Sequence, residues 1–215
     1  VDDSSPDGTG EWVDQRRAGE ERLHVLHRPA KSGLATAYVD GMGWGIEAGF
    51  SFLLQMDADG SHRPSDLPKL LARMGGPDRP DLVIGSRWVR GGKVNGWSAK
   101  RVALSKAGNY YVRLCLGTPV RDATAGLRVH RCAFLAAHGV LERVSTTGFG
   151  FQVEMTERER SLGAVIREVP ITFDERIAGE SKLDSSIFVE ELAMVTKGGL
   201  SRLAQAARSA LGARR

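Results

Sequence analysis

The sequence is most informative first for what it holds little of. Cysteine occurs twice, as Cys115 and Cys132. Neither has the spacing of a metal site or a partner motif, so the pair reads as two reduced thiols rather than a disulfide framework. Aromatic residues make up only 7% of the 215, and no block of lysine and arginine is long enough to track a nucleic acid. Both observations argue against nucleic-acid binding. No stretch approaches the roughly 18–20 consecutive apolar residues needed to cross a bilayer. The chain does not open on a basic-then-apolar leader, and it contains no internal repeat or low-complexity linker. It is rich in glycine, with 26 residues, and carries a formal charge of +4. Many tight turns and a general preference for anionic partners follow.

The chain alternates short apolar runs with amphipathic ones. Leu23 to His27 is predicted to be a strand, Leu34 to Ala48 a helix, and Phe50 to Met56 a buried parallel strand. A helix opens at Pro64, a favoured first-turn residue, with Leu67, Leu70, Leu71 and Met74 at helical spacing. Asp81 to Ser86 is a further strand and Arg101 to Leu116 a further helix. This order predicts an α/β fold, a mostly parallel central sheet with flanking helices. Ligands of such folds gather at the carboxyl ends of the strands. The first residues, Val1 to Thr9, read as a strand end, a turn and a helix start, so a strand and helix are expected ahead of them. One domain is expected over 1–197. A helix from about Asp184 is expected to break at Gly198-Gly199, leaving 198–215 as a basic amphipathic or disordered tail.

The chemistry centres on Met56-Asp57-Ala58-Asp59-Gly60. Two carboxylates flanking one residue, where an apolar strand ends, suit Mg²⁺ or Mn²⁺, hard cations that keep waters and substrate phosphates among their ligands. The second acidic stretch, Asp2-Asp3-Ser4-Ser5-Pro6-Asp7-Gly8-Thr9, is either an ordinary turn with a helix cap or a second strand-end site. His24 and His27 lack an acidic partner in sequence and read as structural or exposed. His62 could reach a bound diphosphate, although a helix-start role is favoured. Tyr110 and Tyr111 read as helix packing.

Taken in order, these clusters resemble family 2 glycosyltransferases of the GT-A fold. The likeness continues through Lys31-Ser32-Gly33-Leu34, Gly85-Ser86-Arg87-Trp88, Asp122-Ala123-Thr124-Ala125-Gly126-Leu127-Arg128 and Gly148-Phe149-Gly150-Phe151-Gln152-Val153-Glu154. It runs on into Glu168-Val169-Pro170-Ile171-Thr172-Phe173, Arg176 and Ser181-Lys182. The set is similar to the polyprenol- and dolichol-phosphate mannosyltransferase branch. Ala125 and Leu127 stand where that branch usually carries Ser or Gly and an aromatic residue.

The resemblance implies an inverting transfer of mannose from GDP-mannose to a polyprenyl phosphate by a peripheral protein on the cytoplasmic face of a membrane, with a membrane-anchoring protein as a possible partner. It makes Asp57 and Asp59 the metal ligands, with Ala58 beside them on the donor. It places Asp2, Asp3, Lys31 and Gly33 at the nucleotide and Gln152 and Glu154 along the sugar. Arg87, Arg101 and Ser105 face the acceptor phosphate, while Arg176 and Lys182 lie on a loop closing over the diphosphate. The alternatives are a UDP-glucose enzyme acting on the same acceptor and a catalytically silent binding subunit.

Overall fold

The computed structural model describes residues 1–146, 148, 150–176 and 195–200. Helix α1 (Thr9–Arg17) is followed by α2 (Leu34–Glu47), β1 (Phe52–Gln55), α3 (Leu67–Met74), β2 (Leu82–Ser86), β3 (Lys93–Val94) and α4 (Ala99–Leu116). Then come β4 (Arg128–Arg131), α5 (Cys132–Ala137), α6 (Phe151–Ser161), β5 (Ile166–Pro170) and β6 (Thr172–Phe173). The main sheet has the order β1-β4-β2-β5. β4 is antiparallel to both β1 and β2, while β2 and β5 are parallel. β1, β2 and β5 therefore point one way, and the reversed strand β4 is wedged between the first two. The expected parallel character holds in strand direction, interrupted at β4, but β1 is not the buried parallel strand expected: it pairs antiparallel with β4 at the sheet edge, and only Gln55 is buried. A small second sheet pairs β3 with β6.

The alternation of side chains along β2 shows why its five residues are all buried. Leu82 and Ile84 pack with Val112 and Leu116 of α4. Val83, pointing the other way, packs with Leu70 and Met74 of α3. A strand covered on both faces needs the continuous apolar run found here. A third cluster joins Ala35 and Met42 of α2 to Leu135 of α5 and to Phe151 and Met155 of α6. Gly45 lies directly against Leu53, so a glycine there lets α2 approach β1.

Two further expectations are corrected. Leu23 to His27 forms no ladder: only an isolated parallel bridge joins His27 to Asp2, held by Asp2 N donating to Leu26 O (2.9 Å) and Arg28 N donating to Asp2 O (2.8 Å). A single paired residue is too little to fix a strand. Nor does Gly198-Gly199 end a helix, since residues 195–200 are helical throughout. These glycines lie against Leu116 and Cys115 at the end of α4, where a side chain would collide. Close packing accounts for them better than helix breaking does.

Candidate active site

Just beyond β1, the chain turns at Gly60, whose φ of 76° lies in the left-handed region that favours glycine. Asp59 accepts a hydrogen bond from Ser61 N through Oδ1 (3.0 Å), which closes the turn. Its other oxygen lies 3.3 Å from Arg176 Nη2. Asp57 accepts from the Tyr38 hydroxyl (3.0 Å) and stands 3.4 Å from His62 Nε2. Burial pushes the Asp57 carboxyl up. The hydrogen bond and charge of His62, with the Tyr38 bond and Arg176, outweigh it, so the group sits below its ordinary value and is ionised at neutral pH. Tyr38 moves well above the usual phenol range, first through burial and then through the Asp57 charge, and remains a donor. His62 is therefore turned toward Asp57, with its ring edge-on to Phe173, and does more than start a helix.

Among the described residues no three His, Cys, Asp or Glu side chains converge on one point. A pair of partly exposed carboxylates is nevertheless a set that Mg²⁺ or Mn²⁺ accepts, because both take much of their shell from water and phosphate oxygens. Gly126 sets a close limit on this pair: a Cβ on it would lie 2.7 Å from Asp57 Oδ2.

The two arginines expected on the acceptor side differ from each other. Arg87 is 8% exposed. Its Nε and Nη2 donate to the two oxygens of Asp122 (2.8 and 2.6 Å), and Nη2 also reaches Thr124 Oγ1 (2.9 Å). Trp88, Trp97 and Phe173 surround its guanidinium. Asp122 is held in turn by Glu168, whose carboxylate accepts from the backbone N–H of Asp122 and of Arg121. Arg101 is half-buried, with its guanidinium 4.0 Å from the centre of the Trp97 ring and 3.2 Å from Glu175. Ser98 caps α4 by accepting from Arg101 N. Ser105 lies one turn on, and its carbonyl accepts from Asn109, which also donates to Thr124 (3.1 Å). Arg87 is thus locked in place, and Arg101 is the more accessible cation.

Glu175 and Arg176 are neighbours in sequence. One meets Arg101 and the other meets Asp59, so a single dipeptide links Arg101 to the acidic pair. The strand end before it is pinned by Asp174, which accepts from Arg63 and Asn95 and whose own N–H donates to Ser61 O (3.0 Å).

Other expected residues lie elsewhere. Glu154 faces the loop at Ser145 and Thr146, accepting from both backbone N–H groups, both hydroxyls and Arg158. Burial raises its pKa, but these bonds prevail and hold it down to about 2. It works as a loop clamp, while Gln152, two residues back on α6, turns inward. Gln152 accepts from Gln55 Nε2 (2.9 Å), which also donates to Gly126 O (3.1 Å). Asp3 pairs with Arg28 (2.7 Å), which also reaches Asp40. Asp2 accepts from Ser5 N (3.4 Å) and lies 3.7 Å from His27. Gly33, with φ 102°, starts α2, and Lys31 and Ala58 are exposed. Val1 joins Tyr38, Gln55 and Met56 around a cavity of about 250 Å³, which brings the two acidic stretches to one side of the molecule. Lys182 falls outside the described residues.

Sequence reasoning missed Tyr38, Asp122, Gln55, His130 and Glu159. His130 and Glu159 are fully buried and 3.0 Å apart, and His130 also lies 3.3 Å from Gln55 Oε1. A histidine in a strand and a glutamate amid charged helix residues give no warning of such a pair. Asp122 lies within the Asp122–Arg128 motif, which by itself assigns it no role.

Residues 1–139 match the family model for glycosyl transferase family 2. The chain is 48% identical over 212 residues to an undecaprenyl-phosphate mannosyltransferase of Micrococcus luteus, covering 99% of this chain and 86% of that protein. It is 44% identical over 201 residues to the polyprenol monophosphomannose synthase of Mycolicibacterium smegmatis, covering 93% and 75%. Among solved structures, glucosyl-3-phosphoglycerate synthase of Mycobacterium tuberculosis, in complex with Mn²⁺ and UDP-glucose, aligns with a TM-score of 0.58 at 19% identity. That alignment covers 94% of this chain and 66% of the solved one, and at such identity it speaks for the GT-A fold alone. With a family match over well over half its length and close relatives along nearly all of it, the chain belongs to glycosyl transferase family 2.

Proposed function

We propose that this chain transfers mannose from GDP-mannose to a polyprenyl phosphate, by direct displacement with inversion. The relatives at 48% and 44% identity carry that class of name. The observation that carries the reading is the Glu175–Arg176 bridge, which couples Asp59 to Arg101. It supports the reading by bringing the residues assigned here to a diphosphate near those assigned to a second phosphate. In the reaction an oxygen of the acceptor phosphate attacks the anomeric carbon, the bond from that carbon to the diphosphate oxygen breaks, and GDP leaves with the electron pair. The acceptor is ionised at neutral pH, so no general base has to take a proton. The work left to the protein is orienting two anions and stabilising the leaving charge.

Asp57 and Asp59 would hold Mg²⁺ or Mn²⁺, which neutralises charge on the diphosphate when bound. Arg176, with Lys182 further along the chain, closes on that diphosphate. Asp2, Asp3, Lys31 and Gly33 serve the nucleotide side. Arg101 and Ser105 receive the acceptor phosphate, and Arg87 fixes the Asp122–Thr124 turn beside them. Gln152 supports the sugar side from below. The work takes place at the cytoplasmic face of a membrane.

The test is transfer of radiolabelled mannose from GDP-mannose to a short-chain polyprenyl phosphate, with Mg²⁺ or with EDTA, and with UDP-glucose as a rival donor. Mannosyl product that EDTA abolishes is expected. Product from UDP-glucose alone would replace the donor assignment, and no product from either donor would overturn the reading.

A further inference from the structure

Trp97 is held tightly from both directions along the chain. On one side the β3–β6 ladder ends, with Lys93 N donating to Ile171 O (2.9 Å) and Asn95 N to Phe173 O (2.8 Å). Gly96, with φ 81°, then turns the chain, and a Cβ on it would lie 2.7 Å from Glu175 Cβ. A glycine is needed both for that angle and for that close approach. On the other side Ser98 caps α4, accepting from Arg101 N. Trp97 thus stands one residue ahead of the cap and four ahead of Arg101. Its ring packs edge to face with Trp88 (6.4 Å between centres) and Phe173 (5.5 Å). Among the described residues, the buried indole N–H groups of Trp88 and Trp97 have no hydrogen-bond partner. A buried tryptophan kept for structure usually satisfies that donor. Here the ring faces are engaged instead. The Arg101 guanidinium lies over the Trp97 ring, 4.0 Å from its centre, and that of Arg87 lies 5.5 Å away.

Electrostatics explains why Arg101 needs such a ring. It occupies the first turn of α4, where the helix dipole disfavours a cation, and Lys100 beside it adds a like charge. Glu175, half exposed at 3.2 Å, is a weak counterweight, because a solvated ion pair contributes little. An aromatic face attracts a guanidinium and leaves its N–H groups available to an anion. We infer that Trp97 is a positioning residue for the acceptor phosphate: it holds Arg101 over its ring, so that the guanidinium receives the phosphate already ordered. A loose arginine loses its rotamer freedom when it binds an anion, whereas a stacked one has lost it beforehand. Arg87 has no such need, since Asp122 locks it. The inference rests on the acceptor role proposed above for Arg101.

The experiment measures equilibrium binding of a radiolabelled short-chain polyprenyl phosphate to the full chain, with no sugar donor present. Trp97→Leu should weaken binding by about tenfold. Trp97→Phe keeps a ring face and should recover most of that loss. In an Arg101→Gln background, Trp97→Leu should add nothing further, because Trp97 acts through Arg101. Thermal melting accompanies each variant, and Trp97→Met, a flexible filler without a ring face, takes the place of Trp97→Leu if that variant does not fold. In transfer assays the non-aromatic variant should raise KM for the acceptor and leave KM for GDP-mannose near native. A loss that is merely structural would move both. Native-like binding by the non-aromatic variant, no recovery with phenylalanine, or fully additive losses with Arg101→Gln would overturn the inference. A native chain that does not bind the prenyl phosphate would overturn the acceptor reading, and the inference with it. Prenyl phosphate binding that depends on Trp97, without any sugar transfer, would overturn the proposed function and leave Trp97 in its role.

Discussion

Asp57 is confined on three sides, by the Tyr38 hydroxyl, the His62 ring and the backbone of Gly126. A methyl group at residue 126 would stand 2.7 Å from the carboxylate, so Gly126→Ala must displace either the turn or Asp57. We expect this variant to weaken Mn²⁺ binding, read by electron paramagnetic resonance without substrate, by about tenfold, a loss of ~1.4 kcal/mol. Asp57→Ala should remove that binding and reduce transfer by at least a hundredfold, as expected for lost stabilisation of leaving-group charge, about 2.7 kcal/mol or more. Unaltered Mn²⁺ titrations in both would end the metal assignment to this pair. The position of the two carboxylates just beyond a strand was legible in the sequence, because an apolar run ends there in Asp-Ala-Asp-Gly. Their neighbours were not. Tyr38 lies on a helix 19 residues earlier and Gly126 in a turn 69 residues later, and only the folded sheet brings them together.

Elements give these residues their different burdens. Arg87 stands where β2 ends and is held by the turn before β4, whereas Arg101 lies in the first turn of α4. The motif made them equivalent acceptor-side cations; burial separates them. Removing one member of a buried, fully bonded pair strands the other, at a cost of about 3–5 kcal/mol. Arg87→Gln should therefore lower the melting temperature markedly. Arg101→Gln should leave melting near native and raise KM for the acceptor, and equal loss of stability in the two variants would contradict the distinction. Glu154 makes a similar point on α6. Its pKa falls from 4.5 to about 2 in the folded chain, so its contribution to stability is complete above about 4.5 and is lost as pH falls toward about 2. Glu154→Gln should cost ~1–3 kcal/mol at neutral pH through the lost bonds to Ser145, Thr146 and Arg158. It should also flatten the acid limb of a stability–pH curve. A limb as steep as the native one would show that other carboxylates govern it. Sequence placed α2, α3, α4, β1 and β2 within a few residues, since each carries a clear apolar period. It overread Leu23 to His27, where one bridge with Asp2 is all that forms.

At the scale of the whole molecule, the reversed strand β4 delivers Arg128 and His130 into an interior that the strand pattern describes as apolar. Arg128 donates to the carbonyls of Ala123 and Ala125 and to Thr156, and burial draws its pKa down to about 10. His130 joins Glu159 on α6 to Gln55 on β1, and Gln55 in turn holds Gln152 and Gly126. The acidic pair and the helix behind it are thus connected through buried polar groups, a costly way to build a core unless it fixes one arrangement. This predicts a specific pattern of coupling. Glu159→Leu alone leaves His130 without its carboxylate and Arg128 without a neighbouring counter-charge, so a loss of about 3–5 kcal/mol is expected. Adding His130→Leu should return part of that stability, because apolar groups then replace both ends of the pair. The double variant should nonetheless transfer sugar more slowly than the native chain, since Gln55 has lost the group that orients its amide beneath Gly126. Denaturant unfolding and transfer rates on the native chain, both single variants and the double variant test both halves. Additive losses in stability would mean that His130 and Glu159 act independently. A double variant with native transfer rates would show that the network holds the fold together without setting the acidic pair.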